Sequence, residues 1–158
     1  MTSNASDARI AVVVSQYNAF VTDRLRDGAL AALSQAGIPA DQIEVLPVPG
    51  AYEIAQAARR AAETGRFDAV VCLGCVIRGE TAHFEYIASA AAQGIMQASA
   101  DTGVPMSFGV LTTDSVEQAL ARAAVGPDGK GWEAATAAVE LAAVFRALDR
   151  NHAREARA

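Results

Sequence analysis

The chain has 158 residues, 52% of them hydrophobic, and a net charge of −5, which is enough length for one domain with a full core. The acidic balance, with no basic stripe to neutralise phosphates, excludes a nucleic-acid partner. No apolar run approaches the roughly 20 residues that span a bilayer, and residues 1–7 are small and polar rather than a secretory leader, so no membrane partner and a cytoplasmic location are expected.

The β-branched run at 9–14 predicts a first strand, followed by a turn at 16–18. Leu25, Ala29, Leu30 and Leu33 share one face of a helix over 22–36, and Gly37 closes it. A second strand over 42–48 is broken by Pro49-Gly50, and a helix over 51–64 stops at Gly65. A third strand over 69–76 leads into a helix over 81–102 that stops at Gly103, and a fourth strand covers 106–111. Ser115 caps a helix over 115–124 with Glu117 in its first turn. The break at 126–129 (Gly-Pro-Asp-Gly) precedes a last helix over 131–148. The tail at 149–158 is charged, and its end is expected to be disordered.

Strands that are apolar throughout, alternating with helices, predict an α/β fold with a parallel sheet covered on both faces. The chain is expected to be a single domain with its core at 9–148 and short tails at 1–8 and 149–158, without repeat or linker. Ligands of such sheets bind beyond the carboxyl ends of the strands. Tyr17, the segment Ala51-Tyr52-Glu53, the turn at 79–83 and Thr112-Thr113-Asp114 all follow strands. They offer an aromatic ring, a carboxylate, an anion cradle and an imidazole, a set suited to a planar polar ring and a phosphorylated small molecule.

The richest stretch is 74–86, Gly-Cys-Val-Ile-Arg-Gly-Glu-Thr-Ala-His-Phe-Glu-Tyr. A glycine-bracketed turn meets a helix start, where backbone N–H groups and the helix dipole favour an anion. His83 stands beside that cradle as a proton carrier at neutral pH. The same residues read G-x-x-x-x-G-E-T, one residue from a P-loop, but Glu80 replaces the lysine that would reach the β- and γ-phosphates. A single phosphate held by backbone fits better than a nucleoside triphosphate. Cys72 and Cys75 form a C-x-x-C along an apolar strand, several residues before any helix, and the only histidines, His83 and His152, have the wrong spacing for zinc. Both cysteines are expected to be small buried hydrophobes, and no metal site is expected.

Taken in order, these loops form a recognisable set. Tyr17-Asn18, P-G-A-Y-E at 49–53, G-x-V-I-R-G-x-T-x-H-F-E-Y at 74–86, F-G-V-L-T at 108–112, E-Q-A-x-x-R-A at 117–123 and Gly129-Lys130-Gly131 resemble the lumazine synthase family over residues 9–148. The resemblance implies a flavodoxin-like, three-layer α/β/α sandwich around a four-stranded parallel sheet. It implies a transferase of riboflavin biosynthesis that needs no cofactor. Its small-molecule substrates would be 5-amino-6-(D-ribitylamino)uracil and 3,4-dihydroxy-2-butanone 4-phosphate, giving 6,7-dimethyl-8-ribityllumazine, phosphate and water. It further implies a homopentamer at least, with each site shared between neighbouring subunits.

By position, the resemblance makes His83 the proton-transfer residue. Tyr17 stands where the family stacks an aromatic ring, usually Phe or Trp, on the pyrimidine. Ala51, Tyr52 and Glu53 match the ribityl-binding segment, with Glu53 as hydroxyl acceptor. Cys75, Val76 and Ile77 match the strand end whose backbone meets the pyrimidine edge, where the first residue is commonly Thr. Glu80 and Thr81 match the phosphate cradle. Arg122 matches the phosphate-pairing arginine of the neighbouring subunit, Phe108 the aromatic that the neighbour adds to the pyrimidine pocket, and Lys130 a lysine near the pyrimidine carbonyls. The segment at 125–129 departs from the Lys- and Asn-containing loop of many relatives, and residues 1–8 have little strand propensity, which points away from the larger shells.

Two other functions suit parts of this set. An archaeal-type riboflavin synthase would share the fold but have no use for the phosphate cradle or Arg122. A non-catalytic assembly that binds flavin or lumazine would explain Tyr17, Phe108 and Glu53, and would give no role to a histidine beside an anion cradle.

Overall fold

The computed structural model describes residues 7–157. Four strands, β1 (Ile10–Ser15), β2 (Ile43–Val48), β3 (Ala69–Ile77) and β4 (Met106–Thr113), alternate with helices α1 (Ala19–Gln35), α2 (Ile54–Glu63) and α3 (His83–Thr102), and α4 (Val116–Arg122) and α5 (Lys130–Arg157) follow. The sheet order is β2-β1-β3-β4, and all three pairings are parallel. Ile10 faces Ala69 on one side and Ile43 on the other, so the two central strands lie inside the sheet.

Alternation along the strands divides the core in two. Ile10, Val12, Val14, Val71 and Leu73 pack against α1, α4 and α5, while Ala11, Val13, Val70 and Cys72 pack against α2 and α3. A strand buried on both faces has no use for polar residues, which is why β1 and β3 read as unbroken apolar runs. Each fully buried Val, Ile or Leu contributes about 1.5–3 kcal/mol. The helices meet the sheet largely through alanines, among them Ala58, Ala61, Ala134 and Ala138. Small side chains let α5 sit close to α1: a Cβ on Gly131 would run into the Leu25 carbonyl, so only glycine fits there.

The predicted elements are present with shifted ends. Gly37, Gly65 and Gly103 stop α1, α2 and α3 with φ of 88°, 73° and 73°, as their positions predict. The Ser115 hydroxyl accepts from the Gln118 N–H at 3.2 Å, the expected cap. Helix α1 begins three residues before its expected start, because Asn18 (φ 62°, ψ 45°) turns the chain straight from the β1 loop into the helix. Residues 51–53 form a 3-10 turn ahead of α2, and α3 starts at His83 rather than at residue 81. The expectation of a disordered tail is corrected: α5 continues to Arg157. No glycine or proline occurs between Trp132 and Arg157, so nothing stops the helix where the apolar face ends. The expectation for residues 1–8 falls mostly on 1–6, outside the described residues.

Candidate active site

In this strand order the chain departs in opposite directions from β1 and β3, and a cleft opens where such a sheet switches. The cleft measures about 500 Å3 and is lined by Tyr17, Asn18, Gly50, Ala51, Tyr52 and Glu53 from the β1 and β2 loops, by Cys75, Val76 and Ile77 from β3, and by Gly79, Thr81, His83, Phe84 and Ile87 beyond it. Strand pairing persists past the strand ends. The Gln16 N–H donates to the Val48 carbonyl at 2.7 Å and the Tyr17 N–H to the Pro49 carbonyl at 3.0 Å. These bonds set Tyr17 beside the Gly50 turn, and the residue is 73% exposed at the rim.

Asn18 ties the third wall in place. Its Nδ2 donates to the Cys75 carbonyl at 3.0 Å, linking the β1 loop to the end of β3. It is the only non-glycine residue with positive φ among the described residues, a conformation that Asn tolerates better than most side chains. His83 is the first residue of α3, and its N–H donates to the Thr81 hydroxyl at 3.4 Å. Phe84 and Ile87, one and four positions on, continue the same helix along the cleft wall. Glu80 is exposed and lies outside the lining.

Cys75 lines the cleft but belongs to the core, 2% exposed. Three residues along a strand reverse the face, so Cys75 packs on the α5 side and Cys72 on the α2 side. Burial pushes the Cys72 thiol up to about 12 and the Cys75 thiol up to about 11. Neither is a thiolate nucleophile at neutral pH, in agreement with their reading as buried hydrophobes. Among the described residues, no three His, Cys, Asp or Glu side chains stand together as metal ligands. No described helix is long and apolar enough to cross a membrane.

The remaining expected site residues lie elsewhere in the chain. Arg122, the last residue of α4, and Lys130, the first of α5, line a separate hollow of about 410 Å3 with Thr112 and Asp128. Phe108 stands 40% exposed on β4, beside a narrow groove that also includes Lys130. Neither depression shares a lining residue with the cleft. Lys130 Nζ pairs with Glu133 at 3.3 Å. Within one chain, therefore, His83 stands together with Tyr17, Ala51, Tyr52, Glu53, Cys75, Val76, Ile77 and Thr81, and Phe108, Arg122 and Lys130 are apart from them.

Asn18, Gly50, Phe84 and Ile87 line the cleft without having been assigned a role from the sequence. Ile87, four positions on from His83, was accessible to helical periodicity, and Phe84, one position on, was not. Nor was Asn18, since its contact spans 57 residues of chain.

Comparison with known proteins adds a second line of evidence. Residues 7–146 match the family model described as 6,7-dimethyl-8-ribityllumazine synthase. A curated protein of that name from Syntrophus aciditrophicus (strain SB) is 47% identical over 144 residues, covering 91% of this chain and 94% of the relative. The match takes in the cleft, the turn at 79–83, Phe108, Arg122 and Lys130, and the chain belongs to the 6,7-dimethyl-8-ribityllumazine synthase family, transferases of riboflavin biosynthesis.

Proposed function

We propose that the cleft of one subunit and the β4 edge of its neighbour together form the reaction site of a homopentamer that makes 6,7-dimethyl-8-ribityllumazine in the cytoplasm. The substrates are 5-amino-6-(D-ribitylamino)uracil and 3,4-dihydroxy-2-butanone 4-phosphate, and the products are the lumazine, phosphate and water. The observation that carries the shared site is the division of the residue set: the cleft has an imidazole and a turn suited to an anion, while Arg122 lines a different surface of the same chain. A head-to-tail contact that repeats around a ring brings the two surfaces of successive copies together.

In this reading Tyr17 stacks on the pyrimidine, with Phe108 of the neighbouring copy closing the pocket, and two-torsion aromatic rings orient a planar substrate at low entropic cost. The main chain of Cys75, Val76 and Ile77 meets the pyrimidine edge. Glu53 accepts from ribityl hydroxyls beside Ala51 and Tyr52, and Lys130 reaches the pyrimidine carbonyls. Glu80 and Thr81 supply main-chain donors to the phosphate, and the Arg122 guanidinium pairs with its oxygens. His83 moves protons as the amine condenses with the ketone, as phosphate leaves and as the second amine closes the ring.

Mixed assembly tests this reading. His83→Ala and Arg122→Ala variants, each impaired alone, are co-expressed and assayed by the rise of the lumazine absorbance band. Random mixing restores both groups at about one quarter of sites if each site draws on two subunits. Activity no higher than that of the separate variants would place both residues in one subunit's site.

A further inference from the structure

We propose that Arg78 is a positioning residue that clasps the two ends of the 79–83 turn and so sets the shape of the phosphate cradle, without touching the phosphate itself. The inference rests on the reading of that turn as the butanone phosphate site.

Arg78 is the first residue after β3, and Phe84 is the second of α3, so the turn is the chain running between them. The Arg78 guanidinium lies over the Phe84 ring, 5.1 Å from its centroid. That is inside the roughly 6 Å over which a cation is drawn to an aromatic face. The contact closes the turn as a loop with both ends held. Two further bonds fix the clasp to the sheet: the Arg78 N–H donates to the Thr113 carbonyl at 2.8 Å, and Nε donates to Asp114 Oδ1 at 2.9 Å. One residue is thus joined to the end of β4, to the corner leading into α4 and to the first turn of α3.

Its chemistry suits placement better than ligation. Phe84 lines the cleft, whereas Arg78 and Asp114 do not. The Asp114 carboxylate offsets the guanidinium charge and draws it towards β4. A planar, delocalised cation can stack flat on a ring and donate from its edge in a fixed direction, whereas a lysine ammonium has no plane to stack. The clasp therefore transmits the position of the β4 corner to the Phe84 ring and to the main chain of the cradle.

The test is steady-state kinetics on the assembled enzyme, varying each substrate in turn, with inorganic phosphate as a competing ligand. Arg78→Gln is expected to raise both the KM for the butanone phosphate and the inhibition constant of phosphate about tenfold, with the pyrimidine KM within about twofold of its starting value. Arg78→Lys, which keeps the charge and loses the planar face, should show a rise of about threefold. Asp114→Asn should also weaken phosphate about threefold, and the double variant R78Q/D114N should be no worse than R78Q, because one device has been broken twice.

Tighter phosphate in Asp114→Asn would overturn the proposal, since freeing the guanidinium would then have made a better ligand. Unchanged kinetics in Arg78→Gln would also overturn it, as would equal weakening of both substrates with a lowered Tm. If the wild-type enzyme forms lumazine but phosphate does not compete, the cradle reading fails, and that failure shows before any variant is made.

Discussion

The cleft beside β1 and β3 and the hollow beneath α4 and α5 are built by different means. The cleft is backbone held by the core: strand pairing reaches past Ser15 to Tyr17, and Asn18 bonds across to Cys75. The hollow is bounded by side chains on a sheet edge, where Arg122 ends a short helix and Lys130 begins a long one. A backbone-built surface recognises by shape and fixed main-chain donors, for a ring and for an anion alike, whereas a long charged side chain can follow a mobile anionic group. In the proposed shared site the butanone phosphate therefore meets both kinds of wall, the 79–83 turn of the cleft and Arg122 of the neighbour's hollow. The contrast teaches that loss of Arg122 should be felt by that substrate more than by the pyrimidine.

The largest break in that contrast comes from Arg122→Ala. Charge-assisted bonds to a phosphate are worth about 1.5–3 kcal/mol, so kcat/KM for the butanone phosphate should fall about 100-fold. Pyrimidine binding, measured by titration in the absence of the second substrate, should hardly change. Equal loss of both would erase the distinction between the walls.

A smaller effect is expected at Asn18. Asn18→Gly keeps the left-handed backbone and removes the amide, so the loss of one hydrogen bond, about 1 kcal/mol, should raise the pyrimidine KM about fivefold and leave the butanone phosphate KM alone. Asn18→Ala adds backbone strain of roughly 1–2 kcal/mol, and its Tm should fall further than that of the glycine variant. A pyrimidine KM that does not move in Asn18→Gly would mean that the tether to Cys75 is not what holds the cleft wall.

A last effect lies under the cleft and concerns stability against pH rather than either substrate. Burial raises Cys72 to about 12 and Cys75 to about 11 from an ordinary value of 9.0. The folded chain keeps these protons after the unfolded chain has lost them, so their contribution is whole below pH 9 and is lost as pH rises towards the folded values. Denaturant titrations at pH 8 and 10 should show a lower midpoint at pH 10, and a Cys72→Ala, Cys75→Ala variant should show less of that decline.

The strands and the division of the core were legible in the sequence because their signals are local. Continuous apolar runs at 10–15 and 69–77 mean burial on both faces, and glycine stops mark three helix ends. The C-x-x-C could be read as core because its neighbours are apolar and no helix follows at once. The length of α5 was not legible, since a charged, exposed face reads the same in a helix and in a loose tail. The grouping of Tyr17, Glu53, Cys75 and His83 followed from strand ends facing one way. The family resemblance, and not periodicity, gives Phe108 and Arg122 to a neighbouring subunit, while the separation of Lys130 depends on strand order, about which periodicity says nothing. The contacts of Arg78 with Phe84 and Asp114 needed the same knowledge.

The opposite-facing cysteines have a consequence for handling the protein in air. Three residues of strand carry the chain about 10 Å, beyond the roughly 7 Å limit for the Cα atoms of a disulfide, and the two side chains point to different sides of the sheet. A motif spaced like an oxidoreductase pair is thereby unable to close, whatever the redox potential outside. Folded enzyme stored with or without reductant should release the same number of thiols on unfolding, so this motif does not make the enzyme a thiol switch.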